Sequence, residues 1–236
     1  MSGRTKPPNA IVTGASRGLG FELAKALAER GWRLVVDARG ADALEAAADE
    51  LRAVGEVIAL PGDVADERHR QVLVAAAGEP IDLLVNNASV LGASPLPALA
   101  DYPLAELERV YCVNVLAPLA LAQLALPHLG NGAVILNVTS DAGAEAYEGW
   151  GGYGSSKAAL DQLTAVLAAE HPDLRVYSVD PGDMRTEMHQ QAFPGEDISD
   201  RPPPSESIPG LLRLIEGELP SGRYRAADLV PVSSAR

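Results

Sequence analysis

Apolar residues in this chain fall in short runs, separated by longer stretches in which Ala, Leu and Glu recur at helical spacing. Ala10-Ile11-Val12, Leu34-Val35-Val36, Val57 to Leu60, Ile81 to Val85, Ala133 to Val138 and Arg175 to Val179 read as six strands. Between them the pattern predicts helices over about Gly18 to Arg30, Ala41 to Val54 and Asp66 to Ala77, and a long helix before each of the last two strands. Runs that are continuously apolar, without alternation, are buried on both faces, as in a parallel sheet covered by helices. Strand and helix alternating with right-handed crossovers predict a single-domain, doubly wound parallel α/β fold over residues 1–236, with its ligand beyond the carboxyl ends of the strands. One stretch, Asp183 to Ser207 with Pro194, Pro202, Pro203 and Pro204, is too long for an ordinary connection and is read as a substrate lid.

Composition narrows the function classes. Nineteen Lys and Arg stand against 32 Asp and Glu, a net charge of −13. Such a chain repels phosphate backbones and anionic lipid headgroups, so neither nucleic acid nor a membrane surface is an expected partner. The single cysteine, Cys112, excludes an intrachain disulfide and a Cys-rich metal site, and its apolar helical setting marks it as a core residue. His69, His128, His171 and His189 are widely spaced and read as solvated surface residues, so no metal is expected. The opening MSGRTKPPNA lacks the apolar core of a leader, and no stretch approaches the ~20 apolar residues of a membrane span. The expectation is a soluble cytoplasmic protein.

The candidate chemistry lies just after the strands. Directly behind the first comes Thr13-Gly14-Ala15-Ser16-Arg17-Gly18-Leu19-Gly20, followed at once by a helical pattern. Glycines there let the backbone approach a pyrophosphate, and the free amides of the helix start favour its charge. Further on, Tyr153 and Lys157 lie one helical turn apart, on one face. A phenol titrating near ~10 is a poor acid or base at neutral pH, and a neighbouring cation is what stabilises its anion. A helix beginning near Gly151 adds its positive end in the same sense. Ser140, at the end of the fifth strand, is placed to donate to an oxygen that gains negative charge.

The T-G-x-x-x-G-x-G spacing resembles that of the short-chain dehydrogenase/reductase family more than the common G-x-G-x-x-G form, and further matches follow in order over nearly the whole chain. Asp63-Val64 follows the third strand, where the family's Asp contacts adenine. Asn86-Asn87-Ala88 follows the fourth, with Ser89 in place of the family's Gly. Asn114 lies in the fourth helix, Tyr153-Gly154-Ser155-Ser156-Lys157 gives Y-x-x-x-K, and Pro181-Gly182 follows the sixth strand with Thr186 shortly after. The resemblance implies a Rossmann-like fold and a nicotinamide cofactor held by Gly14, Ser16, Arg17, Gly18, Leu19, Gly20, Asp63, Val64, Asn87, Ala88, Pro181, Gly182 and Thr186, together with Tyr153 and Lys157. It also implies a catalytic set of Asn114, Ser140, Tyr153 and Lys157, in which Asn114 helps hold a water linked to Lys157. A homodimer or homotetramer through the fourth and fifth helices is implied likewise.

At the end of the second strand, Asp37-Ala38-Arg39 bears on the choice of cofactor. Aligned with the family, Ala38 takes the place of the carboxylate that holds an NAD ribose. Asp37 falls one residue early and, by strand alternation, on the other face. Arg39 and Arg17 are basic residues suited to a 2′-phosphate. NADP(H) is the expected cofactor, with NAD(H) possible, and the expected substrate is a small carbonyl compound or the matching alcohol. The competing readings are a 3-oxoacyl carrier-protein reductase and a dinucleotide-binding regulator without turnover.

Overall fold

The structure is a computed structural model and describes residues 6–230. The ends of the expected 1–236 domain, including the first five residues of the opening MSGRTKPPNA, lie outside the described residues. Seven strands form one parallel sheet in the order β3-β2-β1-β4-β5-β6-β7. They are β1 (Asn9–Val12), β2 (Arg33–Ala38), β3 (Val57–Pro61), β4 (Ile81–Asn86), β5 (Leu129–Val138), β6 (Arg175–Asp180) and β7 (Gly222–Arg225). The six expected strands are all present, each within a few residues of its predicted span. The seventh escaped prediction because Gly222-Arg223-Tyr224-Arg225 is an edge strand, half-exposed and polar, without the apolar run that marks the others.

The helices are α1 (Gly18–Ala28), α2 (Ala41–Arg52), α3 (Glu67–Ala77), α4 (Leu104–Tyr111), α5 (Ala117–Ala125), α6 (Gly151–Glu170), α7 (Glu187–Ala192) and α8 (Ile208–Glu216). Successive strand residues face opposite layers. Leu34 and Val36 join Leu23, Leu27 and Leu211 in the core on one face, while Val35 joins Leu73, Leu121 and Val176 on the other. Between β1 and β4 the strand order reverses. That reversal opens a crevice at the carboxyl edge, where open α/β sheets bind their ligands.

A π-helical turn, Cys112–Leu116, joins α4 to α5 and sets the face each residue presents. Val113, Asn114 and Val115 turn inward, whereas Cys112 is exposed, which corrects its expected place in the core. The continuous helix Leu104–His128 is, by length and composition, apolar enough to cross a membrane, against the expectation that no such stretch exists. Half of its apolar window is buried within the domain, between the sheet and α6, and it is a core helix of this fold.

Candidate active site

The crevice is a single cleft of about 1300 Å³ running along the carboxyl edge of the sheet. Of the residues expected to bind cofactor or catalyse, every one lines it except Asn114, which lies behind the wall and is buried.

One end is built around the glycine turn. Gly14 and Gly18 have φ of 67° and 60°, open to glycine at little steric cost. A Cβ on Gly14 would stand 2.8 Å from the Ala88 backbone, and one on Gly20 would collide with the Gly14 carbonyl and the Asn87 side chain. Thr13 Oγ1 accepts the amides of Asn87 and Ala88, while Asn87 Nδ2 donates to the carbonyls of Thr13 and Gly14. The turn is thereby stapled to the end of β4. No side chain caps the first amides of α1, so they remain available to an anion. A glycine cradle facing uncapped amides fits a dinucleotide pyrophosphate.

Beyond the turn, Ala38 and the exposed Arg39 line the cleft, and Arg39 has no ion-pair partner among the described residues. Arg17 pairs with Glu187 at the start of α7. Asp37 is 1% exposed. Its Oδ1 accepts the Gly14 amide at 2.8 Å, and its Oδ2 lies 3.0 Å from His69 Nε2. His69 is therefore not the solvated surface residue expected from its spacing. It projects from the first turn of α3 under the sheet edge, where the buried carboxylate partners it. His189, also read as solvated, lines the cleft and stacks on Phe193.

At the other end, Tyr153 sits in the first turn of α6, whose start carries no side-chain cap. Burial pushes the phenol well above its ordinary range, and the nearby carboxylates of Asp180 and Asp141 push the same way. The hydroxyls of Ser89 and Ser140 act in the opposite sense. Lys157 is 2% exposed, donates to the Val138 carbonyl at 2.8 Å, and places Nζ 5.4 Å from the centre of the Tyr153 ring. Burial pulls its ammonium down to about 8. Ser140 Oγ donates to Asp141 Oδ1 at 2.9 Å and accepts the Ala142 amide. Asp141 is thus a direct partner of the serine.

Asn114 uses its whole carboxamide internally. Oδ1 accepts from Ser89 Oγ and the Val90 amide, while Nδ2 donates to the Val90 carbonyl and Ser156 Oγ. Any water it holds must therefore bind its backbone. Ser156 in turn donates to the Tyr153 carbonyl at 2.6 Å, so Asn114 steadies the turn that carries the tyrosine. Three contributors were not anticipated. Ser89 and Ser156 looked like a motif departure and motif filler, and Arg223, which donates to the Ser140 carbonyl and pairs with Asp161, comes from the unpredicted β7.

Next to Tyr153, Leu91, Leu96, Ala142, Trp150, Met188, Ala192 and Phe193 form an apolar wall. Trp150 packs edge-on against Tyr153 and tilted against Phe193. Met188, Ala192 and Phe193 come from the stretch expected to be a lid, which carries α7 and is tied to the β4 side by Ser94 Oγ donating to the Gln191 carbonyl. Met184, from the same stretch, lines the cleft and packs against the core around α1.

A parallel doubly wound sheet with a glycine-cradled anion site at its switch point, and a buried Tyr-Lys pair facing that site, defines a dinucleotide-dependent oxidoreductase fold. Residues 8–197 match the short chain dehydrogenase family, and the chain belongs to it. It is 40% identical over 171 residues to the rhamnolipids biosynthesis 3-oxoacyl-[acyl-carrier-protein] reductase of Pseudomonas aeruginosa, covering 68% of this chain and 66% of that one. With the 2-(R)-hydroxypropyl-CoM dehydrogenase of Xanthobacter autotrophicus it shares 34% identity over 201 residues, covering 81% and 80%. A short chain dehydrogenase from Shigella flexneri complexed with NADP superposes with a TM-score of 0.84 at 27% identity, over 94% of this chain and 98% of that one.

Proposed function

We propose that this protein is a soluble, cytoplasmic NADP(H)-dependent carbonyl reductase or alcohol dehydrogenase, with Tyr153 as general acid in reduction and general base in oxidation. The observation that carries this reading is the placement of Ser140, Tyr153 and Lys157 along the same cleft as the glycine cradle. When bound, the dinucleotide supplies the hydride at its nicotinamide. The chain's residues do the rest. The apolar wall excludes water and holds the carbonyl compound, and Ser140 turns its hydroxyl from Asp141 to donate to the substrate oxygen as charge develops there. Tyr153 then delivers the proton. Its phenol is pushed up by burial, so it holds that proton firmly until an oxyanion needs it, and Lys157 beneath the ring stabilises the tyrosinate that remains.

Three features support NADP(H). Ala38 stands where the family's ribose-binding carboxylate would be, Arg39 is exposed without a competing partner, and Asp37, which lines the cleft and does not turn to the other face as strand alternation suggested, has both oxygens already engaged. Arg17, the second basic residue suited to a 2′-phosphate, lines the same cleft and is paired with Glu187. Leu104 at the start of α4 and Leu116 just before α5 are exposed apolar side chains, which suits a homodimer or homotetramer interface through these helices.

A second reading, a 3-oxoacyl carrier-protein reductase, is favoured by the identity to the Pseudomonas aeruginosa reductase. The apolar wall suits an apolar or aromatic carbonyl compound, and a net charge of −13 counts against docking an acidic carrier. Initial rates with NADPH and NADH against ketones, aldehydes, quinones and acyl thioesters distinguish the two. Tyr153→Phe should then lose ~10²- to 10⁴-fold in turnover and keep its cofactor affinity. Near-normal turnover in that variant would remove Tyr153 from its role, and turnover of thioesters alone would favour the second reading.

A further inference from the structure

Asp37 is the only acidic residue of β2 and is held more firmly than a strand-end side chain needs to be. Its backbone carbonyl accepts the Ala15 amide and its Oδ1 accepts the Gly14 amide, so it grips the first two residues of the phosphate turn. The remaining oxygen meets His69 Nε2 at 3.0 Å, with the imidazole 9% exposed. The other ring nitrogen presses on Gly62, where a Cβ would overlap the imidazole, and the Gly62 amide donates to the Ala38 carbonyl. Asp37 lines the cleft, whereas His69 stands behind it.

This geometry matters for the adenosine end of the cofactor. A carboxylate near the ribose accepts hydrogen bonds from a 2′,3′-diol and repels a 2′-phosphate. Asp37 is close enough to the turn to bond Gly14, and only its Oδ2 is free of that task. We infer that His69 discriminates between the two nicotinamide dinucleotides by holding Asp37 Oδ2 away from the adenosine ribose, leaving Arg39 and Arg17 to meet the 2′ position. His69 is a positioning residue, since it acts through Asp37 and does not touch the cofactor. The inference rests on the dinucleotide-binding reading of the cleft.

Dissociation constants for NADPH and NADH, measured by calorimetry without substrate, test it. The wild-type chain should bind NADPH more tightly. In His69→Ala the ratio of NADPH to NADH affinity should fall roughly tenfold, the worth of one charge-assisted hydrogen bond gained by the diol and lost to the phosphate. Asp37→Asn alone should leave the ratio at or above the wild-type value. Adding Asp37→Asn to His69→Ala should restore it, because no carboxylate is left to release. If His69→Ala fails to fold, Gly62→Ala, which displaces the ring, should lower the ratio in the same direction. Equal loss of both affinities in His69→Ala would reduce His69 to scaffolding and overturn the inference, as would failure of the double variant to recover. Wild-type binding that favours NADH would overturn it too. A wild-type chain that binds neither dinucleotide would overturn the underlying reading along with it.

Discussion

Lys157 should make the fold less stable than it would be without it. Burial lowers its ammonium from 10.5 to about 8, opposed only by the carboxylate of Asp161. Each unit of pKa is worth about 1.4 kcal/mol, so the charged side chain costs the folded state about 3 kcal/mol at neutral pH. Against this stands the 2.8 Å bond to the Val138 carbonyl, worth about 1–2 kcal/mol. Lys157→Met keeps most of the volume and removes the charge, and its net gain should be about 1–2 kcal/mol, or roughly 2–8 °C in Tm for a chain of this size. The sign of the pH dependence follows from linkage. Below pH 8 both folded and unfolded states are protonated and the full penalty stands. Between about 8 and 10.5 the folded lysine loses its proton while the unfolded one keeps it, so the wild type gains stability as pH rises. Urea midpoints of wild type and Lys157→Met at pH 7 and pH 10, without cofactor, should therefore show an advantage for the variant that shrinks and then reverses. A variant less stable at pH 7 by an amount unchanged at pH 10 would refute the reasoning.

Gly20→Ala should open the phosphate turn, because its Cβ meets backbone and not only a movable side chain; a loss of about 1–3 kcal/mol in stability and at least ~10-fold in dinucleotide affinity is expected by thermal melting and titration. Arg39→Ala should weaken NADPH by ~10- to 100-fold and leave NADH unchanged, whereas Ala38→Asp should strengthen NADH and weaken NADPH, both read from kcat/KM. Alcohol oxidation should accelerate with rising pH through the neutral and alkaline range, since the phenol raised by burial must lose its proton to act as base, and carbonyl reduction should stay nearly flat over the same range because the phenol keeps its proton. Raising salt should weaken NADPH binding more than NADH binding, because only the former depends on the guanidinium pairs at the 2′ position.

Most of the sheet was legible because its strands are buried on both faces and announce themselves as apolar runs. β7 was not, since its exposed residues carry charge where the inner strands carry Val and Leu. The cofactor cradle and the Tyr-Lys pair were legible for a different reason: each needs particular residue types at fixed spacing along one element. What stayed hidden depends on contacts between elements distant in sequence. Nothing near His69 in the chain indicates that Asp37, 32 residues earlier, will stand 3.0 Å away. Cys112 was misplaced because a π turn shifts the facing of residues by more than any 3.6-residue pattern allows.

The chain's charge of −13 stands at odds with a cofactor that carries several phosphates, and the structure resolves the conflict by distance. Beyond about 8–10 Å, exposed charges are screened at physiological salt, so the overall acidity contributes little at the site. Close to the phosphates the local groups act instead: uncapped amides at the start of α1, Arg39 exposed beside Ala38, and Arg17 paired with Glu187. The one carboxylate lodged under the turn, Asp37, has both oxygens taken up by a backbone amide and an imidazole. Glu187 is the exception, a carboxylate that competes with phosphate for Arg17. It opens α7, whose Met188 and Ala192 belong to the apolar wall beside Tyr153, while the Thr186 side chain caps the helix independently of Arg17. The same ion pair thus joins the cofactor end of the cleft to the segment that shapes the substrate end.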